Sequence, residues 1–325
     1  MTNMSRFFIG IDLGGTKIGG AVYDAITSDV LIERVIPTEA HQGCDEVLNR
    51  ISRFIDELSH NDSLPSDDFG GIGLGLPGTI DFDRGAPELI PNLHSQWSGK
   101  PVVSILQEMT RRPVVLINDA HAFTLAEATL GAGAGKQTVV CFTIGTGIGG
   151  GIAIDGRVHQ GLDGRSGIFG HHTIDPHGPP CGCGNNGCME ALASGPAITA
   201  RAVKAVLQGL NTRITSLVDS DISQITPQII LQAAQEDDQI AKDILQRSGT
   251  YIGIGVANAI TILSPECVII GGGIAHLGEW ILNPIWDEVR RRCFTAPIDK
   301  IEIQQAKLGP NAGMIGAAIW ASQKL

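Results

Sequence analysis

Two carboxylates and two glycine-rich tips are where this chain's residue types and spacing point most directly to chemistry. Asp12-Leu-Gly-Gly-Thr-Lys17 follows the apolar run Phe8-Ile-Gly-Ile11. Gly14 and Gly15 let the backbone approach a polyanion, the amides and the Thr16 hydroxyl can donate, and Asp12 can hold a hydrated Mg²⁺ that bridges phosphates, with Lys17 beside them. The motif is neither a Walker A loop nor a dinucleotide fingerprint, and a lone copy reads equally well as a tight hairpin. A second copy shifts the balance. Aligning residues 11–24 with 142–155 sets Gly14 on Gly145, Gly19 on Gly150, Gly20 on Gly151 and Asp24 on Asp155, with Gly145-Thr146-Gly147 at the second tip.

Asn118-Asp119 closes the apolar run Pro113-Val-Val-Leu-Ile. A carboxylate at the carboxyl end of a buried strand lies where α/β proteins bind ligands, and there it can take a proton from a substrate hydroxyl. The competing reading makes Asp119 the N-cap of the helix that follows. His171 with Cys181-Gly-Cys183-Gly-Asn-Asn-Gly-Cys188 offers one imidazole and three thiolates, the donor set of a closed structural zinc site. A redox dithiol is the alternative, because the spacing is not the common two-residue knuckle. The remaining cysteines, Cys44, Cys141, Cys267 and Cys293, sit among apolar or helical residues and read as core or surface positions.

The elements that must position these groups follow from patterning. Each glycine tip reads as strand, turn, strand, and each half later carries a short strand ending in glycine: Gly71-Ile-Gly-Leu-Gly-Leu-Pro-Gly78 and Cys267-Val-Ile-Ile-Gly-Gly-Gly273. Apolar residues recur at helical spacing in Cys44–Ser59 and in residues 196–207, 227–235, 241–263 and 280–292. The alternation indicates an α/β protein of two duplicated domains with an active-site cleft between them.

With 325 residues, 43% hydrophobic and 18% charged, the chain is too apolar for disorder. A net charge of −11 argues against a general nucleic-acid or anionic-membrane surface and favours small-molecule work. Two uncharged stretches, residues 137–154 and 248–265, read as buried core rather than spanning helices, since the first is broken by glycines and the second continues an amphipathic helix. No secretory pattern precedes Phe7-Phe8, so a cytoplasmic location is expected.

Taken together these residues resemble the ROK family of sugar kinases and sugar-responsive repressors. The likeness runs through Asp12 to Lys17, Gly75 to Gly78 with Pro91-Asn92-Leu93, Asn118-Asp119-Ala120, Gly145-Thr146-Gly147, Gly170-His171, the cysteine cluster to Glu190, Gly271 to Gly273, and Ala312 to Ala318. It implies an actin-like ATPase fold of two ribonuclease-H-like domains: residues 1–120, with a final helix from about 311 packing back on them, and residues 121–310 with the zinc loop. It also implies ATP with Mg²⁺, structural Zn²⁺, a sugar or sugar-like acceptor, and a homodimer. By the same likeness Asp119 is the general base, and Asn92, Asn118, Asp119, His171 and Glu190 line the acceptor. Asp12, Gly14, Gly15, Thr16, Lys17, Gly145, Thr146, Gly147, Gly272 and Gly273 serve ATP, and His171, Cys181, Cys183 and Cys188 hold zinc.

One departure stands out. The family pattern Glu-x-Gly-His reads Ile168-Phe-Gly-His171 here. Isoleucine cannot accept a hydrogen bond, and an unpaired sugar hydroxyl against it costs about 1–3 kcal/mol. That favours an unusual acceptor such as a C7 cyclitol, or weak use of ordinary hexoses, over loss of phosphoryl transfer. A repressor would carry a DNA-reading segment before Asp12, which is not expected here, and a non-catalytic sugar sensor would have no need of Asp119.

Overall fold

The computed structural model describes residues 5–60, 64, 68–90, 93 and 95–325; Asn92, expected to line the acceptor, lies outside them. The chain begins with β1 (Phe7–Leu13), β2 (Lys17–Asp24) and β3 (Asp29–Pro37), then α1 (Cys44–Ser59), β4 (Phe69–Leu76), a small hairpin of β5 (Thr79–Asp81) and β6 (Ala86–Leu89), α2 (Val102–Thr110), β7 (Val114–Asn118) and α3 (Asp119–Thr129). It continues through β8 (Thr138–Ile144), β9 (Ile148–Ile154), β10 (Arg157–Val158), α4 (Met189–Ala193), α5 (Gly195–Leu207), α6 (Arg213–Leu217), α7 (Pro227–Gln235) and α8 (Gln239–Leu263). It ends with β11 (Cys267–Gly271), α9 (Glu279–Arg292), β12 (Glu302–Gln305) and α10 (Ala312–Lys324).

Two five-stranded sheets result, ordered β3-β2-β1-β4-β7 and β10-β9-β8-β11-β12. The orders correspond position for position, β1 with β8, β2 with β9, β4 with β11, so the duplication seen in the glycine tips extends to the sheets. In the first, β2 is antiparallel to β1 while β4 and β7 run parallel to it. In the second, β11 runs parallel to both β8 and β12.

Packing divides the chain into two compact units, one of Met1–Gly135, Ile152–Ser166 and Leu308–Leu325, the other of Lys136–Gly151 and Gly167–Lys307. The expected boundary at residue 120 falls just inside α3, whereas this division follows Gly135. In the first unit both sheet faces are covered, which is why β1 and β4 are near-continuous apolar runs rather than alternating ones. α1 lies on one face through Val47, Leu48, Ile51, Phe54, Ile55 and Leu58, all buried at its predicted apolar spacing. α10 lies on the other, and Trp320 Nε1 donates to the Leu116 carbonyl of β7 at 2.8 Å. Its backbone comes so close that a Cβ on Gly10 would stand 1.9 Å from the Met314 carbonyl oxygen, and one on Gly73 1.8 Å from that of Ala317.

In the second unit the long helix α8 packs against α9, α7, α5 and α4. The uncharged stretches fall in the β8–β9 hairpin and in α8 with the turn after it, and among the described residues no helix is long and apolar enough to cross a membrane. The predicted helices appear within two residues of their expected limits.

The α10 contact predicts that Gly73→Ala, which drives a methyl into the Ala317 carbonyl, lowers stability by about 3 kcal/mol. Urea unfolding measures this directly; an unchanged midpoint would mean that α10 does not sit against β4 as described.

Candidate functional site

In the first unit the parallel register of β1, β4 and β7 brings Asp12, Gly75 and Asn118 to one edge of the sheet, since Asp12 pairs with Gly75 and Leu76 with Asn118. This is the carboxyl edge, where open α/β sheets bind ligands. Asn118, not Asp119, caps α3: its Oδ1 accepts from the Ala120 and His121 amides at 3.0 and 3.2 Å, and its Nδ2 donates to the Gly78 carbonyl at 3.0 Å. The N-cap reading of Asp119 is therefore displaced by one residue. Asp119 opens the helix, and its carboxyl accepts from the Ala120 amide at 2.8 Å and from the Asn118 side chain.

Asp12 and Asp119 each keep an accessible edge while being otherwise encased by protein. Burial, and secondly the charge of Asp119, pushes Asp12 up to about 7. Burial likewise pushes Asp119 up to about 6, against the opposing pull of the Ala120 amide. α10 contributes to the crowding, since a Cβ on Gly313 would lie 2.4 Å from Asp12 Oδ2. Two like carboxylates held this way can attract a divalent cation, and one titrating near neutrality suits proton transfer.

The first glycine tip closes through the Gly14 amide donating to the Lys17 carbonyl at 2.9 Å. Its shape is held by a residue the sequence reading missed. The fully buried Thr38 donates its hydroxyl to the Gly14 carbonyl at 2.7 Å and its amide to the Thr16 carbonyl at 3.0 Å, leaving Thr16 and Lys17 exposed. Nothing near Thr38 in sequence signals this, because the contact spans 24 residues.

The second unit repeats the device with a different brace. Gly145 donates to the Gly147 carbonyl at 2.9 Å, Thr146 is exposed at the tip, and Glu190 Oε2 accepts from the Ile148 amide at 2.8 Å. A Cβ on Gly147 would stand 2.7 Å from that same oxygen. Glu190, expected to meet the acceptor, thus spends one oxygen on the hairpin and keeps the other. Gly272 and Gly273 follow β11, the parallel neighbour of β8. Gly272 has φ +81° and leaves no room for a side chain against Ile144, while Gly273 faces open space.

The ligating atoms of His171, Cys181, Cys183 and Cys188 all lie within 4.8 Å of one another. Cys181 Sγ is 3.6 Å from His171 Nδ1, and Cys183 Sγ is 3.7 Å from Cys188 Sγ. A tetrahedral zinc ion with ordinary bond lengths sets about 3.6 Å between sulfur and nitrogen and about 3.8 Å between sulfurs. The cluster fits that ion, and the converging imidazole is a donor a redox dithiol does not need. The Asn185 amide pulls the Cys183 thiol down, while burial and the neighbouring thiols push Cys188 up to about 12, a cost that a cation would relieve. Ile168, 45% exposed, precedes the turn that carries His171, and Phe169 within that turn stacks on Phe142 with ring centres 4.6 Å apart.

Residues 8–324 match the family model described as ROK family. The chain is 32% identical over 320 residues to a glucokinase of Halalkalibacterium halodurans, covering 98% of this chain and 96% of that one. It is also 32% identical over 308 residues to a xylose repressor of Caldicellulosiruptor bescii, covering 95% of this chain and 76% of the other. A solved ROK family glucokinase of Streptomyces griseus, in complex with glucose and AMPPNP, superposes with a TM-score of 0.79 at 31% identity, covering 98% and 99%. The fold is the actin-like ATPase fold.

The raised ionisation of Asp12 makes a stability prediction. The folded protein holds this proton up to about pH 7 and the unfolded chain only to about 3.8, so stability falls as pH rises between these values and levels off above them. Asp12→Asn should therefore raise unfolding free energy at pH 8 by on the order of 2 kcal/mol, a gain that shrinks toward pH 5. Denaturant titrations at the two pH values test it, and an equal effect at both contradicts the burial argument.

Proposed function

We propose that this chain, which belongs to the ROK family, is an ATP-dependent sugar kinase that transfers the γ-phosphoryl group to a hydroxyl of a hexose or hexose-like acceptor. The observation that carries the reading is the pair of encased carboxylates at the carboxyl ends of β1 and β7, one of them at the end of a glycine hairpin whose backbone is braced from outside. The glucokinase and xylose repressor likenesses both point to a sugar, and the glucokinase likeness points to phosphoryl transfer.

In this reading Asp119 accepts the proton of the attacking hydroxyl as its oxygen bonds to the γ-phosphorus. The bond from that phosphorus to the bridging oxygen breaks, and ADP leaves with the electron pair. Asp12 would hold the Mg²⁺, which neutralises phosphate charge when bound. Gly14, Gly15, Thr16 and Lys17 present donors to phosphate oxygens, as do Gly145, Thr146 and Gly147, and Gly272 and Gly273 leave room for the nucleotide's close approach. Asn118 orients Asp119 through the helix cap and through a side-chain hydrogen bond to its carboxyl, and Asn118, Asn92, His171 and the second oxygen of Glu190 are the polar partners proposed for the acceptor.

His171, Cys181, Cys183 and Cys188 would hold a structural zinc ion, which when bound fixes the loop between His171 and Glu190. Cys183→Ala should then lower zinc content and raise the KM for the acceptor. Unchanged metal content would remove the zinc assignment.

Ile168 favours a second acceptor class. Its exposed apolar face leaves a hexose hydroxyl unpaired at a position where a C7 cyclitol or a modified sugar fits better. Ile168→Glu should improve use of glucose about tenfold or more if the position reads a hydroxyl.

The direct test is Mg·ATP-dependent ADP release over glucose, mannose, N-acetylmannosamine and C7 cyclitols. Turnover with at least one acceptor, lowered about 10²- to 10⁴-fold by Asp119→Asn while sugar binding persists, is the expected result. Full activity of Asp119→Asn removes the base assignment, and sugar binding without any turnover makes the protein a sensor.

A further inference from the structure

His121 stands two residues beyond Asp119 in α3 and is 1% exposed. Its Nε2 lies 2.9 Å from the Ser166 carbonyl oxygen, and its Nδ1 is buried with no hydrogen-bond partner among the described residues. A carbonyl only accepts, so Nε2 carries the proton and Nδ1 the lone pair. Burial holds the ring below its ordinary histidine range, against the opposing pull of that carbonyl, and it is neutral at physiological pH. If packing were all that position 121 required, an apolar ring would serve without the cost of an unpaired buried nitrogen. The bond to Ser166 is what the histidine adds.

Ser166 ends a segment that the first unit grips at further points. Arg165 pairs with Glu88 of β6 at 2.6 Å, and Gly164, at φ +67°, has Phe82 where a Cβ would lie 2.3 Å from the ring. The Ser166 hydroxyl donates to the His159 carbonyl. Two residues further along the chain comes Ile168, and three more lead to His171.

We infer that His121 is a positioning residue for the acceptor: its Nε2–H fixes the carbonyl of Ser166 against the helix that presents Asp119, and so sets where the chain enters the Ile168–His171 turn. This rests on the reading of Asp119 as base and of that turn as part of the acceptor site. The clamp belongs to acceptor selection and not to phosphate binding, because the side-chain hydrogen bonds of His121 and Ser166 go to the Ser166 and His159 carbonyls and not to either glycine tip.

Three variants separate a clamp from packing. Gln places an N–H close to where Nε2 stands, Asn places one near Nδ1 and falls short of Ser166, and Phe keeps the ring without a donor. In the full-length protein, His121→Phe and His121→Asn should raise the acceptor KM about 5- to 20-fold, leave kcat and the KM for Mg·ATP within about twofold, and speed backbone amide exchange across residues 160–171. His121→Gln should restore both readouts.

Amide exchange is measured without substrate, so it decides on the clamp even if ADP release shows no kinase. Equal exchange in all four proteins overturns the inference. So does a common loss of kcat and of both KM values that Gln fails to rescue. If the Phe variant does not fold, the contrast between Gln and Asn carries the same decision.

Discussion

Two carboxylates that would each be more stable in water are held on one sheet edge, and most of the first unit's architecture follows from keeping them there. The parallel register of β1, β4 and β7 places Asp12 and Asp119, and α10 closes over Asp12 at Gly313. The result is an arrangement unfavourable to two ionised carboxylates, with Asp12 raised to about 7 and Asp119 to about 6. Such strain is useful only if something arrives to relieve it. A divalent cation at Asp12 and a transferable proton at Asp119 would relieve it in complementary ways, which would tie the stability cost to the proposed chemistry.

The rest of the candidate machinery is backbone, and backbone donors need bracing because glycine tips are intrinsically mobile. The two hairpins share a fold and differ in how they are braced. Thr38 bonds the first through both hydroxyl and amide, and Glu190 bonds the second through one carboxylate oxygen. Glu190 follows Cys188 by two residues, so the brace on the second hairpin begins where the cysteine cluster ends. A metal ion in that cluster would steady the loop and, through Glu190, the tip at Gly145 to Gly147.

Local signals in the sequence are enough for the elements and for where the candidate residues stand on them. Apolar spacing found α1, α5, α7, α8 and α9 because each buries one face, and the duplicated glycine tips announced the duplicated sheets. Asp119 stands just past the strand end as the sequence predicts, and the competing cap reading falls to Asn118 instead: Asn and Asp cap almost equally well, and only the structure shows which side chain turns back onto the amides. Thr38, the Glu190 brace and His121 could not be read at all. Each acts through a contact 24 to 45 residues distant along the chain, and no periodicity or motif encodes a partner at that range. Asn92 rests on family likeness alone and lies outside the described residues.

The central claim is that Asp119 works as a base because its surroundings have raised its pKa toward neutrality. The measurement that bears on it most directly is the pH dependence of kcat/KM for the preferred acceptor, from pH 5 to 9 at saturating Mg·ATP. If a divalent cation at Asp12 holds that group ionised, the account predicts an acid limb of unit slope with an apparent pKa near 6, matching the raised Asp119. A profile that stays flat from pH 5 to 7 would contradict it, because a base that titrates near 6 would already be largely protonated at the lower end.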